Sequence, residues 1–377
     1  MKTNWQTKKF GEVFDENKKS KIKVRDSLGV GKYVFFKSGD KTNFLNNFLI
    51  DGRNIFLATG GKAIIKFYNG KCAYSTDTYS IKGRNLDTKF LYYFLFSIID
   101  IINDKMFKGA AIKHLQKKDF KEMKISFPKF SKEQKRIVKV LDRIFEKTAE
   151  AKKDTEKNIQ NTKDLFESYL QNVFINSGKD WEEKRLGEIL EIERGGSPRP
   201  INSFLTDDEN GINWIKIGDT KNVDKYIYKT KQKIIPEGLK KSRLVNEGDF
   251  ILSNSMSFGR PYIMKTTGAI HDGWLVLREK NSNVINKDYL YIILNSPYVF
   301  NQFDRLAAGS TVRNLNISLV SSVKILFPSI LEQKFIVKKL DKLSVQTKKL
   351  EEIYKKKLLD LEELKKSVLK RAFNGEL

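Results

Sequence analysis

At 377 residues the chain exceeds one ordinary hydrophobic core, so more than one domain is expected. Its formal charge of +25, from 71 Lys and Arg against 46 Asp and Glu, points to a polyanionic partner, nucleic acid before anionic membrane. The single cysteine, Cys72, excludes an internal disulfide, and two histidines without a Cys/His cluster exclude a structural zinc and leave no expected metal site.

Residues 1–126 carry 25 basic against 12 acidic side chains. Aromatic and β-branched runs predict strands from Lys32 to Phe36, Ile55 to Ala58 and Ile64 to Tyr68, with turns at Gly60-Gly61 and Asn69-Gly70. A helix over 88–103 follows. Gly60-Gly61-Lys62 lacks the earlier glycine and the Lys-Ser/Thr pair of a phosphate-binding P-loop. A turn presenting backbone N–H groups and a lysine to a DNA phosphate remains one reading, and a plain hairpin the other. Lys37, Thr59, Lys62, Lys66 and Lys113 are the DNA-contact candidates of this half.

Residues 127–176 read as a long helix. All seven prolines lie outside the helical runs 133–176 and 332–373, with Pro128 and Pro328 just upstream of their starts. Ser131 and Gln134 have capping-box spacing. A heptad seam is expected through Ile137, Leu141, Ile144, Thr148, Thr155, Thr162, Leu165 and Tyr169, polar midway, so the helix needs a mate.

Residues 177–326 are less basic, 22 against 18. Strands are predicted at Trp214 to Ile217, Phe250 to Leu252 and Trp274 to Leu277, and a helix over 287–303. Glu193-Arg194-Gly195-Gly196-Ser197-Pro198-Arg199 combines cations, a hydroxyl and glycines for close approach, an inventory suited to groove contact. Candidates here are Arg194, Ser197, Arg199, Lys216, Ser255, Ser257, Arg260, Thr311 and Arg313. Asp207-Asp208-Glu209 reads as a solvated loop and His271-Asp272 as structural. Asn295-Ser296-Pro297-Tyr298 lies near the Asn-Pro-Pro-Tyr tetrapeptide of adenine methyltransferases, but without a glycine-rich cofactor loop it reads as a helix–turn junction.

Residues 327–377 repeat the long helix, with a seam through Ile336, Leu340, Leu343, Thr347, Leu350, Leu361, Leu364 and Val368. From Glu133/Glu332 to Phe174/Phe373 the offset is constant at 199, and 14 of 42 positions are identical. The repeat extends further: Trp5 to Val13 matches Trp181 to Ile189, Leu91 to Ser97 matches Leu290 to Ser296, and Lys113-His114-Leu115 matches Arg313-Asn314-Leu315. A period this long is a duplicated module, not a solenoid. The expected architecture is two α+β domains of short strands and helices, each followed by a long helix, with the two helices paired antiparallel. Each helix of 42 matched residues is about 63 Å long. Two half-sites on one face of DNA lie about 34 Å apart, so the pair suits a ruler. Divergent middles imply two different half-sites, and similar helices imply one kind of partner bound twice under a pseudo-twofold axis.

Pro328 to Asp341 (Pro-x-x-x-Glu-Gln-x-x-Ile-Val-x-x-Leu-Asp), its copy from Pro128, and the ending Leu369 to Leu377 carry a resemblance to the specificity subunit of type I restriction–modification systems. It covers essentially the whole chain. It implies target-recognition domains at 1–126 and 177–326 and an antiparallel coiled coil of 127–176 with 327–377. Each domain then reads half of an asymmetric bipartite site in double-stranded DNA. Two methyltransferase subunits dock on the helices, and restriction subunits join them. The chain itself is then non-catalytic and holds no cofactor, while S-adenosylmethionine belongs to the methyltransferase. The first domain is short and has no clear equivalent of Gly195-Gly196-Ser197-Pro198. The alternatives are the specificity portion of a fused restriction–methylation enzyme or a divergent DNA adenine methyltransferase, which tight cofactor binding would reveal. A third is a basic coiled-coil scaffold, revealed by DNA binding without site preference. No apolar run spans a bilayer and Met1-Lys2-Thr3-Asn4-Trp5 is no signal peptide, so a cytoplasmic protein without a membrane partner is expected.

Overall fold

The repeated anchors pair with each other. In the computed structural model, which describes residues 4–175, 180–255, 257–281, 284–308 and 314–377, Trp5–Lys9 runs antiparallel to Lys124–Pro128. Glu182–Arg185 runs in the same way against Lys324–Phe327. Each ribbon closes a globular domain at the point where the chain enters a long helix. Those helices are continuous, Ser131–Ile175 and Ile330–Asn374.

The first domain has a four-stranded antiparallel sheet in the order Phe14–Glu16, Thr78–Gly83, Arg53–Ala58, Ile65–Asn69. A smaller sheet places Tyr33–Phe36 between Asn43–Leu45 and a parallel Cys72–Tyr74. Strand periodicity explains why Arg53–Ala58 reads as an unbroken apolar run. Ile55 and Leu57 face a core with Phe90, Leu91 and Phe94 of the helix Thr88–Ser97. Phe56 points the other way, stacking on Phe36 of the smaller sheet with centroids 4.2 Å apart. The expected helix over 88–103 is broken at Ile98, and Ile99–Met106 forms a second one.

The second domain repeats this plan at greater length. Its first sheet runs Leu190–Arg194, Trp274–Glu279, Phe250–Ser253, Pro261–Met264, Tyr226–Ile227. Its second runs Leu205–Thr206, Gln232–Ile234, Ile212–Ile215, Gly268–Ile270, Arg243–Val245, again with a parallel central pair. Leu252 and Leu275 face one core, Ile251 and Val276 the other. The helix expected over 287–303 ends at Leu294; Ser296 then caps Pro297–Ala307.

The chain forms two compact units, Met1–Asn158 with Ile353–Leu377, and Ile159–Glu352. Each unit holds one globular domain, the N-terminal part of the helix following it and the C-terminal part of the other. Within the first, Ile137 and Leu141 share a core with Val368, Leu369 and Ala372. Within the second, Ile336, Val337 and Leu340 gather Phe166, Tyr169, Leu170 and Val173. The first pairing is antiparallel, with Arg136 on the Leu377 carbonyl and Lys152 opposite Glu362.

The seam departs from the expected one. Ile137, Leu141, Ile336, Leu340 and Val368 are buried, and Ile144, Tyr169, Leu343 and Leu361 half-buried. Leu165, Leu350 and Leu364 are instead 54, 38 and 46 % exposed. After Thr162 the buried row advances by four to Phe166, and after Thr347 by four to the half-buried Glu351. Each step of four follows another step of four, so the heptad slips and the next leucine turns outward. Thr148, Thr155 and Thr162 stay buried, and the hydroxyls of Thr148 and Thr155 are satisfied within their own helix by the Phe145 and Ala151 carbonyls.

The expected capping box at Ser131 does not form, because Gln134 turns inward. Only 2 % exposed, it accepts the Asp87 N–H on Oε1 (3.0 Å) and donates from Nε2 to the Pro128 carbonyl (2.8 Å). Asp87 in turn caps Thr88–Ser97 through the amides of Lys89 and Phe90. Gln333 does the same, fully buried, taking the Asn286 N–H (2.7 Å) and donating to Pro328 (2.9 Å), while Asn286 caps Lys287–Leu294. Replacing Gln134 or Gln333 by leucine strands a buried N–H and a buried carbonyl, so each substitution is expected to cost about 2–4 kcal/mol. Glu133→Ala, on the exposed side, should change stability by less than about 0.5 kcal/mol. Urea unfolding of the three variants checks this, and equal stability would remove the glutamine from the role assigned to it.

Candidate nucleic-acid interface

In each domain the strand ends bring several loops to one end of the sheets. In the first, Thr59 donates its N–H and its hydroxyl to the Asp77 carbonyl (3.2 and 2.8 Å), which also accepts from the Ser38 hydroxyl. The Gly61 N–H reaches the Lys113 carbonyl at 2.8 Å, and Leu115 N–H the Thr59 carbonyl at 3.0 Å. Gly61 has φ +84°, a conformation that suits glycine. Loops around 37–41, 59–62, 75–77 and 113–114 are thereby gathered, with Lys62 and Lys113 exposed. Lys66 is used differently: its ammonium donates to the carbonyls of Gly39 and Lys37, tying down the first of those loops. Burial lowers its pKa, aided by the nearby Lys37.

The same bonds recur in the second domain. Asn254 N–H donates to Gly273 (3.0 Å) and Leu315 N–H to Asn254 (2.8 Å), so Asn254 stands where Thr59 does. Lys216 follows its strand as Lys37 does, and its ammonium reaches Gln232 Oε1 at 2.6 Å. One more loop is added here. Gly195 and Gly196 donate to the carbonyls of Trp274 (2.9 Å) and Ile270 (3.1 Å). A Cβ on Gly195 would lie 2.2 Å from the His271 carbonyl oxygen, so packing within the protein already requires glycine here.

That packing seats 194–199 on Asp272. The Ser197 hydroxyl donates to Asp272 Oδ1 at 2.6 Å, and the Asp272 carbonyl accepts from Asn254 Nδ2 (2.7 Å) and Arg194 Nε (3.2 Å). Arg199 lies 3.9 Å from Oδ2. The Ser197 hydrogen bond holds the Asp272 carboxyl below its usual range, so it is charged at neutral pH. His271 is pushed below the usual histidine value by burial, against the pull of Asp272, and its Nδ1 accepts the Gly273 N–H at 2.7 Å. Between these groups is a cleft of about 600 Å³ lined by Ser197, Pro198, Arg199, Pro200, Ile201, Trp214, Lys216 and His271.

Glu193 belongs instead to an internal network, bonded to Arg278 (2.7 Å) and Arg243 (3.1 Å). Arg260 is exposed, its guanidinium 5.9 Å from the Tyr262 ring centre. Ser255 is half-buried, and the exposed Ser257 has φ +56°. Thr311 and Arg313 lie outside the described residues. Sequence reading passed over Ser38, Asp77, Trp214 and Asn254 as site residues and took His271-Asp272 as merely structural. Strand pairing distant in sequence brings them together, and no local pattern announces it. Among the described residues no group of three His, Cys, Asp or Glu side chains is placed to hold a metal ion, and no helix is long and apolar enough to cross a membrane.

A family model described as the type I restriction modification DNA specificity domain matches residues 2–161 and again 178–360. The chain is 24 % identical to the type I restriction enzyme MjaVIII specificity subunit of Methanocaldococcus jannaschii, over 99 % of this chain and 93 % of that protein. It is 22 % identical to the EcoDI specificity subunit of Escherichia coli, over 100 and 89 %. Among solved structures, the HsdS subunit from Thermoanaerobacter tengcongensis superposes with a TM-score of 0.66 at 19 % identity, covering 100 % of this chain and 98 % of that one. A chain from a study of assembly and conformational transition of the type I R-M system gives 0.72, also at 19 %, covering 100 and 99 %. The doubled match along the chain, with the doubled fold behind it, places the protein in the type I restriction–modification specificity-subunit family.

Proposed function

We propose that the chain selects the DNA target of a type I restriction–modification complex, each globular domain reading one half of an asymmetric bipartite site through its gathered loops. The observation that carries this is the doubled loop end: one backbone scaffold, bearing different side chains in the two domains. Thr59, Lys62 and Lys113 stand in the first, and Asn254, Arg199 and Lys216 in the second. Lysines meet phosphates, while arginine, asparagine and hydroxyls reach base edges. The long helices set the interval between half-sites and receive two methyltransferase subunits, with restriction subunits joining that assembly. Exposed apolar groups at the helix starts favour such docking: Phe130 (63 %), Leu331 (76 %) and Phe335 (55 %). Methyl transfer from S-adenosylmethionine and cleavage belong to the partners, in the cytoplasm where the DNA is.

Two experiments follow. In the first, the chain with its methyltransferase is titrated against the target duplex and its single-base variants at two salt concentrations. Lys62→Ala should weaken binding to all sequences alike and flatten the salt dependence by about one phosphate contact. Arg199→Ala, if the guanidinium meets a guanine edge, should cost about 1–3 kcal/mol at one base pair and relax specificity there. Uniform loss would make Arg199 a phosphate contact, and no loss would remove its loop from the interface. In the second, exchanging residues 5–126 for the corresponding domain of a related subunit should change one half-site and leave the other. Altered methylation of both halves would show that the domains do not read independently.

A further inference from the structure

Asp272 is an acidic side chain in contact with Ser197 and Arg199 of a cleft whose charged lining groups, Arg199 and Lys216, are cations. Its contacts divide by function. The backbone carbonyl and Oδ1 bind loop to loop, through Asn254, Arg194 and Ser197. Oδ2 is left facing Arg199 at 3.9 Å, with the two side chains 49 and 82 % exposed. An ion pair this open adds little to stability, so the fold gives no reason for it. A carboxylate beside DNA phosphates is repelled, and an arginine bound to a carboxylate must be released before it can bind a base.

We infer that Asp272 is a positioning and specificity-determining residue: it keeps Arg199 beside the cleft until a base edge takes the guanidinium, and withholds the guanidinium from phosphates on DNA that offers none. This rests on the reading that the second domain meets DNA through this end. On a matching sequence Arg199 exchanges one acceptor for another. On a mismatched one it stays with Asp272 and is withheld from the phosphates.

The test uses the full chain with its methyltransferase, and three probes: the site read from the methylome, its single-base variants, and a duplex lacking the site. Asp272→Asn keeps an acceptor for Ser197 and removes the charge. It should bind the site-less duplex about threefold more tightly and lose about tenfold in discrimination at a single base pair. Ser197→Ala keeps the charge and frees the carboxylate, so discrimination should fall without any gain on the site-less duplex. In an Arg199→Ala background, Asp272→Asn should cost no further discrimination, since the two act as one unit. Unchanged binding by Asp272→Asn, or an equal loss on every probe together with a lower melting temperature, would overturn the inference and leave Asp272 a loop fastener. Should the unaltered protein fail to distinguish its site from the site-less duplex, the DNA-specificity reading itself falls, and the inference with it.

Discussion

The structure depends on a buried glutamine at the head of each long helix. The cap of a domain helix leaves a backbone N–H to satisfy, and the turn into the long helix leaves a carbonyl; in this fold the two meet at one side chain. Gln134 and Gln333 each satisfy one backbone N–H at a domain helix cap and one carbonyl at the proline that precedes the long helix. With both ends of the amide engaged and water excluded, the side chain fixes the orientation of helix and domain within its unit. This is why Glu-Gln recurs at a constant offset while the surrounding loops diverge. In the first unit Asp142 adds a second fastening, binding Lys89 and Tyr93 (2.8 and 2.6 Å). The matching positions in the second are Asp288 and Ile292, and Asp288 pairs with Lys225 instead.

A fixed helix start and a fixed ribbon leave the far ends of the sheets free to vary. There the backbone bonds are conserved between the domains, while the side chains are not: Thr59 against Asn254, Asp77 against Gly273. The first domain keeps fewer loops and a larger surplus of lysine; the second adds strands, ties up Arg278 and Arg243 in its own sheets, and sets Arg194 and Arg199 against Asp272.

The duplication, the α+β class and the long helices were legible because each is written in local periodicity or in a constant offset. The six strands read from aromatic and β-branched runs fall within two residues of their observed bounds, while others such as Phe14–Glu16 and Thr78–Gly83 were not read. The seam failed at Leu165, Leu350 and Leu364 because a heptad counted from one end cannot show where the partner helix forces an extra step. Gln134 was misread as a cap for the same reason: its true partner, Asp87, lies 47 positions away. The candidate site was half legible. Glycines and cations mark loops that contact something, but Gly195 is already required by packing against His271. Asp272 gains its meaning only from Ser197 and Arg199, more than seventy residues earlier.

The central claim is that one chain specifies two different half-sites at a fixed interval. Single-molecule methylome sequencing of cells with and without this gene, the methyltransferase left intact, tests it most directly. The account predicts that deletion abolishes methylation at one motif, split into two unlike halves by a constant stretch of unspecified bases. Persistence of every methylated motif after deletion, or loss of a motif that is continuous or palindromic, would contradict it.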